Sequence, residues 1–397
     1  MGMSLDERLD GLLGESLESV RARQVNTLEQ LLGRLEQPFV LFGASHLGRK
    51  VQDRLKRLGY APRAFIDNNP ALWGTQIDSV PVFSPKQLAE LDRNALPGVI
   101  CTIWSGHLAD RMPDRLAPLR RLGFGRIALF GHLAWRFPQG LLPHYCLDLP
   151  EKVLPDAQRI RRAFALLGDE ESRQLFVDHV EWRLFLNHDL LPGASPRQIY
   201  FDRHFSTDFP GELVYDIGAF NGDSVADYLS RGRGYREIHS FEPSLANYGA
   251  LQRHLDTLQP ARGRGLHAHH LAVGDSSGEI LIESGGGPSG RVGRGDERVP
   301  ITTIDELAGQ IGAATFIKID IEGFEPQCLA GGRRLISENH PVMAVSAYHL
   351  QDHLWSLLLQ LHDYYPDYRF SLCPHVSDGW DLVLYAVPPD RIPSQIA

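Results

Sequence analysis

The sequence predicts an α/β protein built from two Rossmann-like domains. The first observation is the run Val-Tyr-Asp-Ile-Gly-Ala-Phe-Asn-Gly-Asp at 214–223, where an apolar segment ends at Asp216 and breaks into a turn carrying Gly218 and Gly222. Helix-compatible residues follow at 224–229, and a second apolar segment, 237–241, ends in the acidic Glu242. Strand, glycine turn, helix and carboxylate-tipped strand make a unit that binds a ribose-bearing ligand at the carboxyl ends of parallel strands. The second observation is that this order recurs upstream: strand 39–42, the loop Gly43-Ala-Ser-His-Leu-Gly48, helix 49–58 and strand 63–66 ending at Asp67. The third is length, since 397 residues suffice for two separate cores.

Charge and composition narrow the class. A formal net charge of −9 argues against a general nucleic-acid or anionic-membrane binder. Cys101, Cys146, Cys328 and Cys373 are scattered, with no C-x-x-C pair, and read as reduced core thiols. Asp6, Glu7, Arg8 and Asp10 leave no secretory apolar region near the start. No apolar run reaches the ~18 residues of a membrane span. The expectation is a cytoplasmic protein without a membrane span.

Taken in order, residues 1–36 form an N-terminal helical segment. Leu5, Leu9, Leu12, Leu13, Leu17 and Val20, then Val25, Leu28, Leu31, Leu32 and Leu35, recur at helical spacing and predict a helix over 4–36. Its apolar stripe packs on its own domain or forms a homodimer contact. Residues 37–148 read as a Rossmann-like domain of the NAD(P)- or nucleotide-sugar-binding type, with further strands at 81–83, 98–103 and 126–130. Its loop departs from the dinucleotide fingerprint, with Ser45 where the second glycine belongs, so both a nucleotide site and a ligand-free scaffold fit it. Residues 149–197 predict a helical connector, with Ala163, Leu166, Leu167, Leu175, Phe176, Val180 and Leu184 as apolar positions. Pro192, Gly193 and Pro196 then mark a loop before a second domain, 198–397.

Within that domain a helix at 245–258 leads to a strand over 266–273, whose tip is Ala272-Val273-Gly274-Asp275. A hairpin-like stretch, 278–283, precedes a glycine-dense segment with Gly285, Gly286, Gly287, Gly290, Gly293 and Gly295, either a lid or a surface loop. A short helix with a capping-type start covers 304–307. Along the next strand, alternation puts Lys318, Asp320 and Glu322 on one side of the pleat and Ile317, Ile319 and Ile321 on the other. Charges so placed must meet solvent, a ligand, a metal or one another. Alternation also puts His267 and His269 on one face, beside His270, which reads as an exposed strand edge rather than a metal site.

The runs Asp-Ile-Gly-Ala-Phe-Asn-Gly-Asp at 216–223, Phe-Glu-Pro at 241–243, Thr-Thr-Ile-Asp at 302–305 and Lys-Ile-Asp-Ile-Glu-Gly-Phe-Glu at 318–325 resemble, in order and spacing, the FkbM family of S-adenosylmethionine-dependent methyltransferases. The resemblance covers about 200–390 and implies a seven-stranded class I methyltransferase sheet ending in an antiparallel hairpin, here 368–374 and 380–387. It implies an O-methyltransferase acting on a sugar, glycan or secondary-metabolite hydroxyl. Asp216, Gly218, Ala219, Asn221, Gly222 and Asp223 would hold the methionine part of S-adenosylmethionine and the loop around it. Glu242 would take the ribose, and Ala272, Val273 and Asp275 would line the adenine. The acceptor would sit over Lys318, Asp320 and Glu322, with His349 as the general base. Asp320, Glu322 and His349 could instead hold a divalent cation such as magnesium. Two other readings stay open: an NAD(P)-dependent oxidoreductase or epimerase using Gly43, Gly48 and Asp67, and a non-catalytic nucleotide-sugar-binding assembly protein.

Overall fold

A computed structural model describes residues 3–92, 95–106, 110–262, 265–282 and 295–394. The chain divides into two compact units, one of residues 1–158, 177–194 and 376–380, the other of 159–176, 195–375 and 381–397. The expected connector is therefore shared between units, and most of the glycine-dense segment lies outside the described residues.

In the first unit the strands are β1 (Phe39–Phe42), β2 (Ala64–Ile66), β3 (Gln76–Ile77), β4 (Val80–Phe83), β5 (Gly98–Cys101) and β6 (Ile127–Leu129). They form a six-stranded sheet in the order β3-β4-β2-β1-β5-β6. Only β3 runs antiparallel to its neighbour. The N-terminal helix is not continuous. It splits into Leu5–Leu13 and Leu17–Leu32 because Gly14 ends the first helix and Ser16 caps the second, its side chain accepting from the Ser19 amide. The second helix packs on β6 and the helix Phe130–Arg136, burying Val20, Leu28 and Leu32.

The second unit contains β7 (Leu213–Ile217), β8 (Glu237–Phe241), β9 (Leu266–His269), β10 (Ala272–Gly274), β11 (Gly278–Ile282), β12 (Glu297–Thr303), β13 (Phe316–Ile319), β14 (Val342–Ser346), β15 (Arg369–Pro374) and β16 (Leu382–Val387). The main sheet has seven strands in the order β15-β16-β14-β13-β7-β8-β9. From β14 to β9 all pairs are parallel, while β15 and β16 form the antiparallel hairpin that the resemblance implied. The centre of this sheet is buried throughout, as expected for parallel strands covered on both faces. Phe201, Val214, Ile238, Leu251, Phe316 and Val383 share one of its cores.

Two sequence expectations need correction here. The strand expected at 266–273 breaks after His269, and Ala272–Gly274 joins a separate three-stranded sheet, β10-β12-β11. Strand β13 stops at Ile319, so Asp320 and Glu322 do not continue its alternation. Glu322 is left-handed (φ 57°) and Gly323 follows at φ 105°, which turns the chain out of the pleat.

Candidate active site

The site starts from β7. Its Asp216 is 0% exposed and would carry an unpaired charge but for two partners. Ser224, in the first turn of the helix Asp223–Ser230, donates its hydroxyl to Asp216 Oδ2 at 2.6 Å. From the adjacent strand, Lys318 stands in register with Asp216 and places Nζ 3.1 Å from Oδ1. The same ammonium donates to the Gly218 carbonyl. Lys318 thus ties β13 to the glycine turn. Burial would lower its pKa, but the charges of Asp216 and Asp320 reverse that and hold it above its ordinary value.

The turn after β7 is shaped by backbone geometry. Gly218 (φ 80°) and Gly222 (φ 87°) are both left-handed, and a Cβ on Gly218 would lie 1.9 Å from the Asp320 carbonyl oxygen. The Gly218 and Ala219 amides both donate to the Phe241 carbonyl at 3.0 Å, locking the turn to the end of β8. Glu242, just beyond that end, closes the arrangement: Oε2 accepts from the Phe220 amide at 2.9 Å and Oε1 from the Ser244 amide at 2.9 Å. Burial raises the Glu242 pKa, opposed by these amides and by Asn247. Asn221 sits in the turn, its side chain accepting from the Asp223 amide at 3.2 Å and its carbonyl 2.9 Å from His254 Nδ1. Asp223 is exposed at the start of the following helix.

Ala272 and Val273 are buried on β10, while Asp275 beyond it is exposed. His270 has Nε2 2.9 Å from the Pro243 carbonyl, and its ring stacks on Tyr248 at 5.1 Å.

Around His349 the fold gathers a cluster of which sequence reasoning named only part. His349 is buried just past β14, with Nδ1 2.7 Å from Glu325 Oε1. Its Nε2 faces Asp320 Oδ1 at 3.4 Å and Glu322 Oε1 at 3.9 Å. Glu325, fully buried, also accepts from the Ile321 amide at 3.0 Å and lies 3.4 Å from His353. Tyr200 donates to Asp320 Oδ2 at 2.9 Å and approaches the Ser346 hydroxyl at 3.3 Å. Burial, followed by the Asp320 charge, drives the Tyr200 pKa far up, so it stays a donor.

Charge balance in the cluster favours an imidazolium. Burial alone would lower the His349 pKa, but the charge and hydrogen bond of Glu325, then Asp320 and Glu322, push it up to about 9. Burial would likewise raise Glu325, yet His349 and His353 hold it down at about 2. Glu325, Tyr200 and His353 escaped the sequence reading. Glu325 was visible as the last residue of the 318–325 run, but its partner His349 lies 24 positions on.

In the first unit, Asp67 at the end of β2 repeats the Glu242 arrangement in miniature. Its Oδ2 accepts from the Ala44 amide at 2.7 Å, and Oδ1 from the Asn69 amide at 2.7 Å. A Cβ on Gly48 would fall 1.9 Å from the Gly43 carbonyl, so the helix His46–Arg57 packs directly against the loop.

A seven-stranded sheet with a terminal hairpin, a glycine turn closed by Glu242, and a polar cluster beyond β13 and β14 make up a Rossmann-like unit. Residues 216–372 match the family model of the methyltransferase FkbM domain. The chain is similar in fold to a methyltransferase FkbM from Methylobacillus flagellatus, with 21% identity, a TM-score of 0.71, and coverage of 94% of this chain and 99% of that one. A precorrin-6y C5,15-methyltransferase from Geobacter metallireducens matches at 11% identity and a TM-score of 0.31, covering 49% of this chain and 93% of that one. No curated protein matches the chain in sequence. Among the described residues no helix is long and apolar enough to cross a membrane.

Proposed function

We propose that the second unit transfers a methyl group from S-adenosylmethionine to a hydroxyl of a sugar, glycan or secondary-metabolite acceptor. The observation that carries this reading is the contact between the two halves of the site. The Asp320 carbonyl fills the space a side chain on Gly218 would need, so the cofactor turn and the acid–histidine cluster form one site. The turn fits a ribose-bearing cofactor. An ionised carboxylate offers roughly four lone-pair sites, and two amides plus Asn247 at 3.4 Å leave Glu242 one acceptor position for a ribose hydroxyl. Asp216, Gly218, Ala219, Asn221, Gly222 and Asp223 shape the methionine end, and Ala272, Val273 and Asp275 the adenine end. Glu242→Ala is expected to weaken S-adenosylmethionine binding about 10- to 100-fold in calorimetric titration, the worth of hydrogen bonds to a charged acceptor. Unchanged affinity would remove the cofactor assignment.

The bound cofactor would supply an electrophilic methyl carbon. That carbon would be taken by the acceptor oxygen, with the sulfur leaving as the thioether, and His349 Nε2 would receive the hydroxyl proton. Asp320 and Glu322 orient that ring edge and the acceptor, Tyr200 holds Asp320, and Lys318 keeps the cofactor turn against β13. We derive no step through a divalent cation. Glu325 Oε1 and His349 Nδ1 are already hydrogen-bonded to each other at 2.7 Å.

A base with a pKa of about 9 gives a specific pH profile. The neutral imidazole is the active form, so kcat rises about tenfold per pH unit across the neutral range and levels off above about pH 9. In Glu325→Gln the foremost charge retaining the proton on His349 is gone, and this limb moves to lower pH. A limb that stays in place in a variant still binding S-adenosylmethionine would assign the base elsewhere.

A further inference from the structure

We infer that Glu237, His239 and His267 form a binding site for a divalent transition cation of the zinc type, at the edge of the seven-stranded sheet. The site does not rest on the methyl-transfer reading. Strands β8 and β9 are parallel neighbours, and their register sets His239 directly beside His267. Glu237 lies two residues before His239 on β8, so alternation brings it to the same face. Sequence reasoning considered His267, His269 and His270, on β9 and just beyond it, and missed the ligands that β8 supplies. The ring planes of His239 and His267 are stacked, 4.5 Å between centroids and 19° apart. His239 Nε2 is 3.4 Å from Glu237 Oε2, and the three donor atoms all lie within 4.8 Å of one another. A tetrahedral cation with bonds of about 2.0–2.2 Å holds its donors roughly 3.3–3.6 Å apart. Small rotations of the exposed His267 ring therefore close the set.

A second group fixes the first. His239 Nδ1 lies 2.9 Å from His269 Nε2. With the Nδ1 proton donated there, His239 presents the Nε2 lone pair toward Glu237 and His267. A metal-bound histidine ordinarily has its other ring nitrogen held in this way. His239 pairs in register with Tyr215, whereas Asp216 pairs with Ser240, so the site lies on the face opposite the Asp216 carboxylate. A cation here would clamp the edge strand β9 to β8 and take no part in methyl transfer. Three protein donors leave a fourth position for water.

The test uses the full chain, stripped of metal and titrated with zinc or cobalt(II). Wild type is expected to take up one equivalent at this site, with the visible absorption of tetrahedral cobalt(II), and to melt at a higher temperature when zinc is added. His267→Ala and Glu237→Gln alter exposed or half-exposed side chains, and both are expected to melt like metal-free wild type while losing that equivalent. His269→Ala is expected to bind about 10- to 100-fold more weakly. The Asp320→Asn variant keeps the full uptake. No tight equivalent in wild type, uptake undiminished in His267→Ala and Glu237→Gln, or loss of it in Asp320→Asn each overturns the site.

Discussion

His349→Ala is expected to lower kcat about 10²- to 10⁴-fold, the usual worth of a positioned general base, while S-adenosylmethionine affinity stays at the wild-type value. The separation follows from geometry. His349 contacts Glu325, Asp320 and Glu322, whereas the cofactor turn is tied by Glu242, Lys318 and the Phe241 carbonyl. The substitution also removes a partner from a fully buried carboxylate, and breaking such a pair typically costs about 3–5 kcal/mol. Glu325 keeps His353 at 3.4 Å and the Ile321 amide at 3.0 Å, which limits the damage. His349→Asn, whose amide can still donate to Glu325, separates lost chemistry from lost stability. If the asparagine variant folds, binds the cofactor and keeps kcat within about fivefold of wild type, His349 is not the base, since a base contributes far more than that. The pair also sets the pH dependence of stability. The raised His349 stabilises fully below its ordinary value of 6.5, and this contribution is lost as pH rises through about 9. The depressed Glu325 stabilises above 4.5 and loses that contribution as pH falls through about 2.

What was legible in the sequence was local. Asp216, Gly218, Gly222 and Glu242 were readable because a strand end, a left-handed turn and the next strand end follow one another within a short stretch, each with its own residue signature. The two α/β sheets were readable for the same reason, whereas the terminal hairpin came from the family resemblance. The Lys318–Asp216 contact was not readable, because Asp216 sits on the neighbouring strand and register cannot be read from one strand alone. Asp320 and Glu322 were misplaced because nothing in a glutamate announces φ 57°; only Gly323 after it hinted that the pleat ends. Tyr200 reaches Asp320 across 120 positions, a contact made by the fold and by no motif. The N-terminal helix was overextended where Gly14 and Ser16 carried a readable stop and restart, because the leucine spacing runs through both.

Gly218→Ala carries the other large effect, and its size follows from two separable terms. A left-handed backbone at φ 80° costs a residue with a side chain about 1–2 kcal/mol. The steric term is larger, since the new Cβ would stand 1.9 Å from a backbone oxygen, that of Asp320, which no rotamer change can move away. The turn must therefore shift, and with it the Gly218 and Ala219 amides on the Phe241 carbonyl and the Phe220 amide on Glu242. A displacement near 1 Å at such a point costs about 10²-fold in function, so cofactor affinity and kcat/KM are both expected to fall by roughly that factor or more. Gly222→Ala is the control that isolates the clash. Its φ of 87° imposes the same backbone cost, but its Cβ would meet side chains rather than backbone, Leu251 at 3.1 Å, His254 at 3.4 Å and Leu255 at 3.7 Å, which can yield. The expected order in calorimetric titration is wild type tightest, Gly222→Ala intermediate and Gly218→Ala weakest, with both variants losing some thermal stability. Equal losses in the two variants would mean that left-handed strain alone matters. The close approach of the cofactor turn to the Asp320 carbonyl would then no longer couple the halves of the site.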